Sequence, residues 1–577
     1  MKAALSLLAL SIASLLLSGC AGSLQPDSQA VSQPPATPIA SEPDTQPPVV
    51  YGQFSKDTLF SLLSAEIAGQ RNHFDLALRN YLVEARKTRD PGVIERALRV
   101  AEYLDAQSQA LEMAVLWQQR QPDNPEALRA AALHLARAGE LQQSMAMMQR
   151  VLEARGETNF DFLALAATDA DATTRATLLT ATEKLLGNNP ENPQLVFAKA
   201  LLMQQQERSE EALAWLQEQP QQALSTPSLL LQTRLLGSLG RSNEAIPALQ
   251  RGVVQHPDDQ RLRLLLARLL VSSGQHSEAA EQFAILAAAN PDDSDLQLSL
   301  GLVMLEAGEP ARAAEHLGQV LDSQPDNDTA AYHLGLAQQQ LGLDEEALMT
   351  WLGIASGPEY LGSRLQISQM LSAAGQPERL DEIFELERHA NPGLHVELFL
   401  LQLEALQQQH PEQAMAVANR ALQQLPGDSR LLYSRAMLHE QLDNLSGLEA
   451  DLRRILADDP QNAMAMNALG YTLADRNLRL EEALELIEQA LALAPEDPAI
   501  IDSLGWVHFR LGNLELAEEL LRRAYAAFPD QEVAAHLGEV LWMLGKRREA
   551  REVWDAALRN DPDSPQVRET RQRLEQR

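Results

Sequence analysis

The chain has almost no cysteine: Cys20 is the only one in 577 residues. A single cysteine excludes an internal disulfide and any cysteine-based zinc site. Aromatic residues are also few, at 4%. Ala, Leu, Gln and Glu dominate in their place, a composition that suits helices and not strands. Lysine is confined to Lys2, Lys56, Lys87, Lys184, Lys199 and Lys546. Basic charge is in deficit overall, with 47 Lys and Arg against 80 Asp and Glu and a net charge of -33. Nucleic-acid binding needs a basic footprint, so no nucleic-acid partner is expected. Long hydrophobic runs are missing except for Ala3 to Leu17, which is too short for an ordinary membrane span. What the chain does have is 45% apolar residues. Spread over this length, they exceed what one compact domain usually holds.

The short apolar run follows Lys2 and ends in Leu17-Ser18-Gly19-Cys20. A positive start, a short apolar stretch and a small residue before the end are the parts of an export signal. The Leu-Ser-Gly-Cys order resembles the bacterial lipobox, which implies that residues 1–19 are a signal peptide and that Cys20 is lipidated. The alternative is a plain signal with a chance cysteine. Ala21 and Gly22 follow, not Asp. By the same resemblance this implies the outer membrane, facing the periplasm. Residues 20–56 are then the lipidated cysteine and a tether rich in proline, at positions 26, 34, 35, 38, 43, 47 and 48. Such a segment cannot form a packed helix and reads as disordered. Thirty residues of it reach roughly 90 Å, enough to hold a folded body well clear of a membrane.

From residue 57 the sequence repeats. Pro257, Pro291 and Pro325 are 34 apart. One unit runs Gly301, Gly308, Ala313, Leu317, Pro325, and the next runs Gly335, Gly342, Ala347, Trp351, Pro358. The last full unit gives Gly538, Gly545, Ala550, Trp554, Ala557, Pro562. This period and these residue types resemble the tetratricopeptide repeat. Each cue has a physical role. The first small residue lets the two helices of a unit approach. The glycine seven places on sits at a turn that suits positive φ. The alanine permits close packing, the large apolar residue fills the space between helices, and the proline stops the second helix. The fold expected is therefore all-α, a right-handed superhelical solenoid of about 14–15 helical hairpins over 57–564. A capping helix over 565–577 is expected to be charged all round. The units near 160–192, Gly375 and Gly470 depart from the pattern. The first lacks the small residues, the second has Leu380 for alanine, and the third carries one extra residue before Ala483.

No catalytic or metal-binding pattern accompanies the repeats. Twelve histidines are scattered, none in His-Glu-x-x-His spacing, and there is no nucleophile elbow or phosphate-binding loop. Neither enzymatic activity nor a cofactor is expected. Abundant carboxylates such as Asp258-Asp259, Glu481-Glu482 and Glu518-Glu519 suit helix starts and solvated faces.

In tetratricopeptide repeats, first-helix residues beside the small position line a groove for partners. Here the resemblance maps them to Arg261, Arg268, Tyr332, His333, Asn467, Tyr471, Trp506, Phe509, Arg510, His536 and Trp542. Aromatic residues with arginine make good interface anchors. Trp506 and Trp542 have a second reading, as packing between neighbouring first helices. The ending, from Asn467-Ala468-Leu469-Gly470-Tyr471 to Ala534-Ala535-His536-Leu537-Gly538, is similar to that of proteobacterial tetratricopeptide lipoproteins. With the anchor, the tether and the Phe54-Ser55-Lys56-Asp57-Thr58-Leu59 start, the layout resembles lipoprotein partners of a periplasmic carboxyl-terminal processing protease. That resemblance implies an adaptor that activates the protease and brings it peptidoglycan hydrolases. Other assembly roles, in exopolysaccharide export or outer-membrane insertion, fit the same ending.

Overall fold

The computed structural model describes residues 54–576. Cys20, the signal and the greater part of the tether lie outside the described residues. Among the described residues there are thirty-one α-helices, four short 3-10 turns and no strands. The chain is an all-helical repeat solenoid. In sequence order the helices form fifteen A–B pairs, from Lys56–Gln70 with Phe74–Thr88 to Gln531–Met543 with Arg547–Asn560, followed by one last helix, Pro565–Glu575.

The chain divides into two compact units, which meet in sequence between His316 and Leu317. In the first, a core of Ala65, Ala77, Ile94, Ala97, Met113 and Ala114 shows how small and medium side chains interleave from pair to pair. In the second, the core runs through Trp351, Phe384, Phe399 and Leu431 to Ile487 and Val507, and is taken up by Leu521, Leu541 and Trp554.

The expected roles of the repeated glycines hold. Gly308, Gly342, Gly375, Gly512 and Gly545 all have positive φ at the A–B turn. A Cβ at Gly505 would stand 2.7 Å from Leu521 Cγ, and one at Gly470 2.6 Å from Ile487 Cγ1. At Gly335 and Gly538 it would overlap the indoles of Trp351 and Trp554, both fully buried. The extra residue in the Gly470 unit is absorbed by two left-handed positions, Asn477 and Arg479. Where the small residues are missing, the A helix shrinks. It covers only Phe160–Ala166 and passes through a 3-10 turn before the long Ala172–Asn188 partner.

The A helices have a further start signal. Asn124, Asn192, Asp259, Asp293, Asp428, Asn462, Asp497 and Asp530 each accept backbone N–H bonds at an N-cap. Each such cap stabilises its helix by about 1 kcal/mol. Pro125, Pro193 and Pro498 follow their caps at the first helical position, where the missing N–H costs nothing.

Two expectations need correction. Pro358 does not stop its B helix. That helix ends at Leu352, and Gly357, at φ +91, turns the chain instead. The last helix is not charged all round. It buries Val567 and Leu574 against the A helix Gln531–Met543, whose core face it covers.

Candidate functional site

Five of the residues expected in a groove come together in the second unit. The A helices Ala463–Asp475, Pro498–Arg510 and Gln531–Met543 and the terminal helix Pro565–Glu575 frame a hollow of about 620 Å³. Tyr471, Asp475, Trp506, Glu532, His536 and Arg573 are among its lining. That volume lies within the range of ordinary ligand sites. Phe509 and Arg510 stand behind Trp506, stacked on it at 4.9 Å and placed over its ring at 5.6 Å.

A hydrogen-bonded chain crosses this wall. His536 Nδ1 lies 3.0 Å from Asp502 Oδ2, and its Nε2 lies 3.4 Å from Tyr471 Oη. The Tyr471 hydroxyl donates to Glu532. His536 stacks on Trp506 with centroids 4.0 Å apart and planes inclined by 20°. Burial alone would lower the imidazole pKa. The Asp502 carboxylate, with Glu532 and Asp475 beyond it, outweighs burial and raises it. A protonated His536 then donates to both neighbours, with the Trp506 face favouring its charge. Burial, reinforced by Glu532, also pushes the Tyr471 hydroxyl up. The wall is therefore hydrogen-bonded, aromatic and flanked by carboxylates.

Asn467 borders a second hollow of about 220 Å³, shared with Tyr433, Met437, Glu440, Tyr471, Phe528 and Glu532. Its buried Oδ1 has no hydrogen-bond partner, which leaves an acceptor for a donor from a ligand. Burial raises the Glu440 carboxyl there, against a hydrogen bond from Thr472.

The other expected residues fare differently. Trp506 is buried and donates to Asp475 Oδ1 at 3.2 Å, so its mass is structural and only its edge reaches the hollow. Arg510 donates to the carbonyls of Ala474 and Asp475 at 3.1 and 2.5 Å, capping the preceding A helix. Trp542 stands apart, 5.7 Å from Trp554, beneath Arg547 and Arg551. His333 is buried and bonds the Thr329 carbonyl at 2.8 Å. Tyr332 is half-buried and accepts from Gln366 at 3.4 Å. In the first unit, Arg261 is exposed and paired with its own N-cap, Asp259. Arg268 is half-buried with its Nε unbonded.

Sequence reasoning missed Asp475, Asp502, Glu532, Glu539 and Arg573. Arg573 holds Glu539 through two hydrogen bonds of 2.8 and 2.5 Å. A signal was present. Asp502 and His536 are 34 apart, as are Glu539 and Arg573, Tyr332 and Gln366, and Glu345 and Arg379. One repeat length places two residues at equivalent positions in successive pairs, where they touch. Among the described residues no group of His, Cys, Asp or Glu is placed to hold a metal ion. No helix among them is long and apolar enough to cross a membrane.

Two tetratricopeptide-repeat family models match, one over residues 238–301 and 508–574, the other over 298–357, 449–498 and 472–532. A TPR repeat-containing protein of Pseudomonas aeruginosa, PA4667, is 51% identical over 535 residues, covering 92% of this chain and 90% of that one. Bacteriophage adsorption protein A of Escherichia coli is 26% identical over 30% of this chain and 18% of its own length. Among solved structures, Naa15/Naa10 bound to HypK-THB and the APC/C hetero-tetramer Cut9-Hcn1 each align over 90% of this chain and 96% of theirs. Both do so at 12% identity and a TM-score of 0.31.

Proposed function

The chain belongs to the tetratricopeptide-repeat proteins, and from that premise we propose a specific role for it. It is an outer-membrane-anchored scaffold, facing the periplasm, that binds and activates a carboxyl-terminal processing serine protease. It also presents cell-wall hydrolases to that protease. The repeats by themselves make a protein-interaction scaffold. The observation that supports a docked protein partner is the pair of hollows around Tyr471, which have aromatic walls and an unused acceptor on Asn467; the choice of a protease rests on the resemblance of the sequence layout. The Leu17-Ser18-Gly19-Cys20 sequence supports the anchor, and the Pseudomonas aeruginosa relative supports the repeat scaffold.

The physical advantage of such a scaffold is proximity. Two clients held on one array meet at an effective concentration on the order of millimolar, without any new contact between them. Activation requires more, because the scaffold must bind the active form of the protease better than the inactive one. The test is capture. The lipid-free chain is immobilised, periplasmic extract is passed over it, and retained proteins are identified by mass spectrometry. A carboxyl-terminal processing protease retained by the native chain, and lost with Tyr471→Ala, supports the proposal. Retention of polysaccharide synthases or β-barrel components in its place supports the export or assembly role.

A further inference from the structure

The first A helix, Lys56–Gln70, differs from the others. Its inner side is covered, with Thr58, Ala65 and Ala68 buried against its own pair. Its other side carries Leu59, Phe60, Leu63 and Ile67, all exposed, with Phe60 at 72% and Leu63 at 60%. The spacing 59, 63, 67 is one helical stripe, with Phe60 beside it. A helix with apolar residues on two of its faces normally has both covered. No pair precedes this one among the described residues.

Three observations identify what covers the stripe. The chain enters this helix directly from the segment that begins at Cys20, so this end of the array is the one tied to the anchor. The charge here is unlike that of the rest. Residues 54–103 hold 8 basic and 7 acidic side chains, in a chain whose net charge is -33. The ends of the stripe are not acidic overall. Lys56 beside Asp57 precedes it and Arg71 follows it, all three exposed, while Glu66 is occupied by Arg96 and the Tyr81 hydroxyl. An exposed apolar stripe on a locally near-neutral surface, with Lys56 and Arg71 at its ends, suits contact with a bilayer interface.

We propose that this stripe seats on the lipid surface, so that the N-terminal end of the array rests against the membrane and does not hang clear of it. The inference rests on lipidation at Cys20. Lipid at Cys20 supplies the attachment, and Phe60, Leu63 and their neighbours fix which face meets the bilayer. An interfacial helix buries its apolar face by about 5–10 Å.

The experiment uses the lipidated full chain in vesicles of phosphatidylethanolamine and phosphatidylglycerol. Cys20 is acylated, so Phe60→Cys gives one free thiol for an environment-sensitive fluorophore. Because Phe60 is exposed, the substitution leaves the core intact. A matching label at Phe528→Cys, also exposed, reports on the other end of the chain. Lipids bearing a doxyl group on the acyl chain are expected to quench most of the emission at position 60 and little at 528. Adding Leu63→Asp is expected to restore the emission. A label at 60 that stays unquenched on vesicle-bound protein overturns the proposal. If its emission shifts to the blue with rising protein concentration and without lipid, a second copy occupies the stripe, and the proposal also falls. Failure of the native chain to bind vesicles at all, with no acyl mass on Cys20, overturns the anchor reading and removes the premise of this one.

Discussion

The two ends of the array are finished in opposite ways. At the C-terminal end, Pro565–Glu575 lies on the last pair, buries Val567 and Leu574, and presents arginines and glutamates outward. It acts as half of a further repeat with a polar outer face, as a repeat array requires of its ends. At the N-terminal end, among the described residues, nothing of the kind precedes Lys56–Gln70, and Leu59, Phe60, Leu63 and Ile67 are exposed. The same repeat chemistry can thus end in a seal or in an exposed apolar face, and the outermost residues decide which.

The comparison can be broken hardest from the sealed end. Trp554 fills the space that Gly538 leaves. Trp554→Ala is expected to destabilise the C-terminal pairs by about 3–5 kcal/mol, read by denaturant unfolding. Leu574→Ala strips the seal and makes this end resemble the other. The expected cost is about 2–3 kcal/mol, seen as faster amide exchange in Gln531–Met543 while the first pairs stay protected.

The third test concerns the wall of the candidate groove. His536→Phe leaves Asp502 buried without its partner, which is expected to cost about 1–3 kcal/mol. It also has a pH signature. The folded-state pKa of His536 is raised above 6.5. Its contribution is therefore fully present below pH 6.5 and is lost as pH rises through the folded value. Melting temperature measured from acid to alkaline pH should fall across that window in the native chain and lose that component of its slope in His536→Phe. The smallest effect belongs to the open end. Phe60→Asp should change stability by no more than about 0.5 kcal/mol, since the side chain is largely exposed. A loss of several times that would show that the stripe is already covered within the chain.

Much of the fold was legible in the sequence because its cues are backbone requirements. Gly308 and Gly545 must take positive φ, and Gly335 and Gly538 must make room for an indole, so these positions repeat visibly. The site was less legible. The aromatic residues near the C-terminus mark the right region, but a tryptophan looks the same in sequence whether buried or offered to a partner. Trp506 proved mostly internal, and Arg510 is committed to the carbonyls of the preceding helix. Pairings such as Asp502 with His536 join residues one repeat apart. They emerge only when the sequence is read across the period as well as along it. The buried faces of the last helix were hidden by its arginines, which dominate the composition of a segment whose two apolar residues do the anchoring.

We propose that this array works by holding a protease in its active form beside a substrate. Hydrolysis of a purified cell-wall hydrolase by the carboxyl-terminal processing protease, measured with and without the scaffold at equal protease concentration, tests this. A many-fold rise in rate is expected with the native chain and little rise with Tyr471→Ala. An unchanged rate with the folded native chain present would contradict it.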